Sequence, residues 1–357
     1  MQPEPVSALS PQRIAGWSWP YTVRRVHRSA VATLLQAAAP PGAGDLVLCR
    51  VDDIGQHTHL ELAAGRRARL FVGDEIVLAY GNRYAPDQFE AEVPDSLAPC
   101  QMVAAGGIAA TMKSKHARMK APTRVTPLGL LGDRHGRALN VAQFALPPMT
   151  GSYAHEAPVF VVAGTTMNAG KTETATQLIR GLTLAGLRVG AAKVTGTGAG
   201  GDTWSMRDAG AAQVLDFVDA GFATTYMADL GAIERVFERL VRQLMRERCE
   251  VIVVEVADGL CQRETRHLIG SPVFRRLVGG VLFAAGDAMG SMAGIAALQA
   301  LGLPVVGAAG VLTSSPLASA EAARAHAVPI LSLADLSRPE IAAVLGVAAH
   351  RAEPVAA

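Results

Sequence analysis

The sequence predicts an α/β fold in which a doubly wound parallel sheet follows a small β-rich domain. Three observations carry this. From residue 158 onward, apolar runs of strand length alternate with segments of helical length, the pattern of a parallel sheet wrapped by helices. Between residues 44 and 80, short β-like runs are separated by Gly-Asp turn pairs. Half of the 357 residues are hydrophobic and only 18% are charged, enough apolar surface for a large core.

The elements follow in order. Residues 1–22 contain several prolines and read as a flexible tail. Residues 23–39 fit a short helix closed by Pro40-Pro41. GDLVLCRV, HTHLEL, ARLFV and GDEIVLAY are the strands of a small barrel or sandwich, and residues 96–150 are less regular. This β-rich domain spans 23–150, and the stretch from Pro147-Pro148 through His155 serves as a linker. The second domain spans 157–347. VFVVA is its first buried strand, followed by a helix over 173–187 and a strand over 189–194. Residues 208–221 read as a helix with its cap or as a pocket lining. An amphipathic helix covers 230–248, and VIVVEV is the next strand. VGGVLFAA, PVVGAA and VPILSL complete the sheet, with helices over 288–301 and 319–325 between them.

Composition narrows the function classes. A net charge of +2 gives no global field for nucleic acid, so none is expected as a partner. The four cysteines show no C-x-x-C spacing and read as reduced thiols of a cytoplasmic protein. Residues 288–313 carry no charge, but Gly302 and Pro304 interrupt them where a helix hands over to a buried strand. No membrane span is expected. Gly-x-Ser-x-Gly, His-Glu-x-x-His and a cysteine-nucleophile context are all absent from the sequence.

The sharpest motif is AGTTMNAGKT, which follows a predicted strand and opens a predicted helix. In that context Gly164, Thr165, Thr166, Met167, Asn168, Ala169, Gly170 and the helix start through Glu173 form a loop whose N–H groups face phosphate oxygens. Lys171 neutralises the terminal phosphates and Thr172 offers its hydroxyl to Mg²⁺. The motif makes the second domain a P-loop domain that binds ATP with Mg²⁺. The glycine that usually opens such a loop stands one position early, at Gly164.

The string GTTMNAGKT resembles the GTDTxVGKT loop of dethiobiotin synthetase, which shares the early glycine. The likeness continues in order over about half the chain, residues 157–345. AAKVTGTG is similar to that family's YKPVxSG and places Lys193 at its second catalytic lysine. VIVVEVADG is similar to VLVEGAGG and places Glu255 at a Mg²⁺ ligand, and GGDTW places Asp202 at the other acidic ligand. The resemblance implies a homodimer. Departures are also plain. Thr166 replaces the loop aspartate, GAAGVLTSSP lacks the adenine-reading asparagine, and the family has no counterpart of the first 150 residues. The biotin precursor is therefore not the expected substrate.

Chemistry supports the same set. Thr172, Asp202 and Glu255 are oxygen donors of the kind Mg²⁺ prefers, and a carboxylate buried in VIVVEV needs a counter-charge. For Glu255 the alternative is a lysine or arginine partner; for Asp202, a plain loop aspartate; for Lys193, a lysine snorkelling at the sheet edge. The loop after VIVVEV carries Asp258, which faces the site or belongs to a polar surface turn. Thr197 and Thr195 add hydroxyls near Lys193. In the first half, MKSKHARMK and GDRHGR gather basic residues that bind an anion or form a solvated face. His57, His59 and Glu61 alternate along a strand, as metal ligands or as a wet barrel face.

These readings converge on an ATP- and Mg²⁺-dependent enzyme that activates a carboxylate or carbamate of a small molecule for capture by an amine. Catalysis would fall to Lys171 and Lys193. Two alternatives stand beside it: a P-loop switch or cofactor-maturation module acting on a protein partner, and an acyltransferase on the same scaffold.

Overall fold

The computed structural model describes residues 6–36, 40–147 and 156–347. The chain falls into two compact units, and the polypeptide passes between them more than once. The first holds residues 1–147 together with 196–201 and 217–227; the second holds 148–195, 202–216 and 228–357. The sequence reading draws each domain as one continuous stretch. Two segments of the later stretch nevertheless group with the earlier unit. Most of the proposed linker, 148–155, lies outside the described residues.

The first unit is built from β1 (Val6–Ala8), β2 (Thr33–Leu35), β3 (Leu46–Asp53), β4 (His59–Glu61), β5 (Arg67–Arg69), β6 (Glu75–Tyr80), β7 (Arg83–Tyr84), β8 (Phe89–Glu92), β9 (Cys100–Ala104), β10 (Ile108–Lys115) and β11 (Thr123–Gly132). Pairing runs β11–β3–β6–β10, and β9 joins β10 back to β11, so these strands close a ring. Closure leaves no free edge among the ring strands. Leu60, Ile76, Leu78, Tyr80, Met102 and Val125 form one of its cores, all fully buried.

Three expectations are corrected here. Residues 6–22 are not a loose tail. They form β1 and α1 (Pro11–Ala15), and bury Trp17, Trp19 and Tyr21, whose large apolar areas hold the segment down. Trp17 Nε1 also donates to Glu75 at 2.7 Å. The helix expected over 23–39 is absent from its described part. Two short 3₁₀ turns lead instead into β2, where Leu34 and Leu35 pair with β11. Residues 96–150 hold the longest strand, β11, which keeps Pro127 and Gly129 in mid-strand by shifting its register between them.

The second unit is a six-stranded parallel sheet of order β14-β13-β15-β12-β16-β17. Its strands are β12 (Val159–Gly164), β13 (Val189–Lys193), β14 (Gln213–Asp216), β15 (Val251–Glu255), β16 (Gly280–Ala284) and β17 (Val305–Ala309). The main helices are α2 (Lys171–Leu184), α3 (Gly201–Asp208), α4 (Leu230–Arg246), α5 (Arg263–Gly270), α6 (Pro272–Leu277), α7 (Ala288–Ala300) and α8 (Pro316–Ala325), with the short α9 (Leu333–Leu336) and α10 (Ile341–Val344) near the end.

Helices cover both faces. Leu178, Ile179 and Leu182 of α2 share a core with Val162, Val189, Ala191 and Val253. Gly190, between Val189 and Ala191, presents its Cα toward Leu244 of α4, 3.3 Å from where a Cβ would sit. Successive residues of a strand face opposite sides, so α4 lies on the face away from α2. Two strand assignments change. Residues 213–216 are the edge strand β14 rather than a helix. VPILSL is no strand, and meets β17 only through a bridge between Ala308 and Ile330. Among the described residues no helix is long and apolar enough to cross a membrane.

Candidate functional site

The site grows from the central strand. β12 is buried along its whole length because the sheet is covered on both faces, and its carboxyl end opens into the loop before α2. Ligands of open parallel sheets sit at this rim. The turn requires left-handed backbone at Asn168 (φ 66°) and at the helix cap Gly170 (φ 92°). The end of β16 and the segments that follow β15 and β17 hold the loop. Thr165 N–H donates to Ala284 O at 3.0 Å, Leu260 N–H to Gly164 O at 3.1 Å, and Val311 N–H to Ala169 O at 3.0 Å.

Lys171 is 6% exposed, and its ammonium donates to Thr166 O at 2.7 Å. Burial holds this group below the usual lysine range, while Glu255 and Asp258 pull the other way and Lys193 adds to the depression. A desolvated cation under a loop of N–H groups is a receptor for a polyphosphate.

Thr172, Asp202, Glu255 and Lys193 come together behind it. Thr172 Oγ1 lies 3.2 Å from Asp202 Oδ1 and 3.1 Å from Glu255 Oε1. The Lys193 ammonium donates to Asp202 Oδ2 and stands 3.9 Å from Glu255 Oε1. Glu255 is 2% exposed, and its Oε2 is buried without a hydrogen-bond partner. An orphaned carboxylate oxygen in such a place costs on the order of 1–3 kcal/mol or more. A divalent cation removes that cost, and one hydroxyl with two carboxylates is a donor set that fits Mg²⁺. Among the described residues no group of three or more His, Cys, Asp or Glu side chains is arranged to hold a metal ion by itself. These side chains therefore do not form a closed cage, and phosphate oxygens and water would complete the shell. For Glu255, the lysine partner and the metal are compatible, since Lys193 approaches only Oε1.

The segment after β15 rests on the phosphate loop. Ala257 O accepts from Thr195 Oγ1 and, at 2.6 Å, from Thr265 Oγ1. A Cβ on Gly259 would collide with the carbonyl of Thr165. Asp258 is half-buried here, close enough for its charge to act on Lys171.

Other candidates are less central. Glu173 is exposed and accepts from Gln177 at 2.7 Å. Thr166 Oγ1 donates to Met167 O at 2.9 Å. Thr197 belongs to a segment of the other unit, where it bridges to Thr224. His57, ahead of β4, meets Val103 O through Nε2 at 3.0 Å, whereas both Glu61 oxygens accept from Gly200 N–H, so His57, His59 and Glu61 do not form a metal group. The basic loops of the first unit find local partners: Lys113 pairs with Glu92 at 3.3 Å and Arg137 with Asp133 at 2.7 Å.

Two positions escape a reading by motif. Gly310 (φ 92°), after β17, leaves no room for a Cβ against Ala169 O. Asp287 caps α7 by accepting from Gly290 N–H at 2.7 Å. The first turn of α7 abuts Thr165, since a Cβ on Gly290 would lie 3.0 Å from Thr165 Cγ2. A lone Asp after a buried strand was the available signal.

Part of the second unit matches a known protein family. The family described as molybdopterin guanine dinucleotide synthesis protein B, MobB, matches residues 159–258, the stretch from β12 to Asp258. No curated protein matches the chain. Among solved structures, similarity extends to the signal recognition particle receptor FtsY of Elizabethkingia anophelis in complex with GDP, at 15% identity and a TM-score of 0.35, over 52% of this chain and 58% of that one. Chloroplast FtsY of Physcomitrella patens follows at 14% and 0.36, over 53% and 62%. The kinase domain of the Escherichia coli tyrosine kinase ETK follows at 15% and 0.34, over 43% and 66%. The chain thus spans less than two thirds of the length of these structures. The second unit has the α/β fold of a P-loop domain, with a parallel sheet. Kinship to dethiobiotin synthetase in particular is not among these matches.

Proposed function

We propose that the chain is a Mg²⁺-dependent enzyme that moves the terminal phosphoryl group of ATP onto a carboxylate or carbamate of a small molecule. The observation that carries this is the meeting of Thr172, Asp202, Glu255 and Lys193 beside the phosphate loop, with one Glu255 oxygen left unpaired. In this reading the loop N–H groups and Lys171 bind the polyphosphate and give up the Lys171 bond to Thr166 O. Thr172, Asp202 and Glu255 hold Mg²⁺, which supplies Lewis-acid neutralisation of the phosphate charge. Lys193, which donates to Asp202 in the structure, would orient the acceptor oxygens and balance the charge that builds up on transfer.

The competing nucleotide is GTP. Asp287 stands on the same sheet rim, and a carboxylate there accepts from the paired N–H donors of guanine. A second reading, a nucleotide-driven switch or cofactor-maturation module, draws on one observation. The 256–262 segment touches the phosphate loop through Leu260 and Gly259, a contact through which the bound nucleotide would be reported. The match to a family named for synthesis of a molybdopterin dinucleotide supports that alternative.

Turnover separates the readings. Lys193→Ala should leave ATP affinity within about threefold of wild type while lowering acceptor-dependent ATP turnover by roughly 10²-fold or more. Normal product formation by this variant would remove Lys193 from the mechanism. Turnover by wild type that ignores small carboxylates and rises only with a protein partner would favour the switch.

A further inference from the structure

We infer that the β4–β5 hairpin of the first unit, with the turn that follows it, forms a basic surface with an apolar apex that docks on a membrane leaflet rich in anionic phospholipid. The contact is peripheral, and headgroup phosphates are its ligands.

The face follows from the strand register. β4 and β5 pair antiparallel, with His59 opposite Arg69 and Glu61 opposite Arg67. Leu70 N–H donates to Thr58 O at 3.0 Å, which carries the pairing one residue further. Alternate residues of a strand share a face. Arg67, Arg69 and Phe71 therefore project together, while Leu60 and Leu70 turn into the core. The Arg69 guanidinium lies 5.7 Å from the centre of the Phe71 ring, as that alternation requires. Phe71 then opens a tight turn. Its N–H donates to Asp74 Oδ2 at 2.9 Å, and its carbonyl accepts from Asp74 N–H at 3.1 Å. The turn thus occupies its own carboxylate and leaves its apolar residues outside: Phe71 is 59% and Val72 66% exposed. A Cβ on Gly73 would meet nothing within 4 Å, so the apex stands clear. Adjacent large apolar side chains held in water mark an interaction site more than scattered ones do.

A second basic loop reaches the same end of the barrel. Val51, near the end of β3, accepts from Gly73 N–H at 2.8 Å. Gln56, between β3 and β4, is tied to the MKSKHARMK loop: its N–H donates to Ala121 O at 2.8 Å, and its Oε1 accepts from Lys120 N–H at 3.2 Å. Arg118 and Lys120 of that loop are exposed. Lys113 finds a carboxylate in Glu92, but none of Arg67, Arg69, Arg118 and Lys120 forms an ion pair among the described residues. Four cations without counter-charges therefore share one end of the barrel with an apolar apex.

Among anionic occupants, lipid suits this surface best. Single-stranded nucleic acid uses open ring faces for stacking, whereas Arg69 already lies over the Phe71 ring and Val72 has no face to offer. A stable protein interface takes on the order of 800 Å² from each partner, more than an apex of two side chains supplies. A leaflet is soft, so the apex can sink between headgroups while arginines meet phosphates through paired N–H groups. Each cation near an anionic leaflet is worth about fivefold in partition.

The test sediments the full-length chain with vesicles of phosphatidylcholine alone, and with vesicles in which a quarter of it is replaced by phosphatidylglycerol. Wild type should bind the mixed vesicles, lose that binding as salt is raised, and ignore phosphatidylcholine. Arg67→Ser with Arg69→Ser should lower the partition coefficient about tenfold or more, and Phe71→Ser with Val72→Ser should lower it severalfold. Arg67→Lys with Arg69→Lys keeps the charge and should retain most of the binding. All four side chains are exposed, so these variants should melt with wild type. Arg134→Ser with Arg137→Ser removes the same charge from the loop after the other end of β11, and should bind as wild type does. Wild type that ignores the mixed vesicles, or equal losses in the hairpin and control pairs, overturns the inference. Binding of single-stranded RNA or of polyglutamate in place of vesicles, abolished by Arg67→Ser with Arg69→Ser, would assign the surface to nucleic acid or to an acidic protein and overturn it as well.

Discussion

At the scale of single residues, the site separates groups that a motif reveals from groups that only folding brings in. Lys171 and Thr172 were legible because their chemistry is local: a strand, a tight loop and a helix start within ten residues. Lys193, Asp202 and Glu255 could be proposed only by likeness, since nothing in their spacing says that their side chains meet. The structure gathers them around Lys193 and Thr172, at the ends of β13 and β15 and in α3: Lys193 donates to Asp202 and stands 3.9 Å from Glu255, and Thr172 reaches both carboxylates. Gly259 and Gly310 could not be found in this way, because each matters through a close approach to a residue far away in the chain. Glu255 makes a sharp prediction. Glu255→Gln keeps the shape and removes the charge, so it should weaken Mg²⁺ dependence by roughly 10-fold or more while changing metal-free nucleotide affinity little. A Mg²⁺ titration of nucleotide binding reads this directly, and an unmoved midpoint would count against Glu255 as a ligand.

At the scale of elements, long apolar strands and the amphipathic α4 were read closely, because their periodicity reflects burial that the whole sheet imposes. The errors fell where tertiary contact outweighed local pattern. β2 and β11 are strands because partner strands accept them, in spite of the Pro and Gly inside β11. The loop ahead of β4 also carries a testable consequence. His57 is pushed down to about 4, first by burial and then by the Arg83 guanidinium, with the Val103 carbonyl opposing. Its neutral form is the one the fold stabilises. That contribution is fully present above the unfolded histidine value near 6.5 and is lost as pH falls from there toward about 4. The loss should be on the order of 2–3 kcal/mol. Chemical denaturation of wild type and His57→Gln between pH 7 and pH 4.5 checks it. The wild-type curve should fall more steeply, and parallel curves would show that His57 does not titrate in this way.

At the scale of the whole molecule, the two units are interleaved in sequence. Segments 196–201 and 217–227 leave the parallel sheet and return to it, yet are packed within the barrel unit. Asp219 in the second segment is 7% exposed and pairs with Arg24 at 2.6 Å and Arg25 at 3.3 Å. A fragment starting at residue 156 would strand a buried carboxylate and both loops without these partners. It should unfold at a lower temperature than the full chain or fail to stay in solution; a fragment as stable as the full chain would show that the interleaving is energetically idle. No periodicity announces such an arrangement, which is why the sequence read as two successive domains. The central claim is that a nucleoside triphosphate binds at the end of β12, and its most direct measurement is a crystal structure of the chain with a non-hydrolysable triphosphate and Mg²⁺. The account predicts phosphate density against the N–H groups of 165–172, the Lys171 ammonium turned from Thr166 O to the phosphate, and an ion beside Thr172, Asp202 and Glu255. Ligand bound elsewhere, with Lys171 still on Thr166 O, would contradict it.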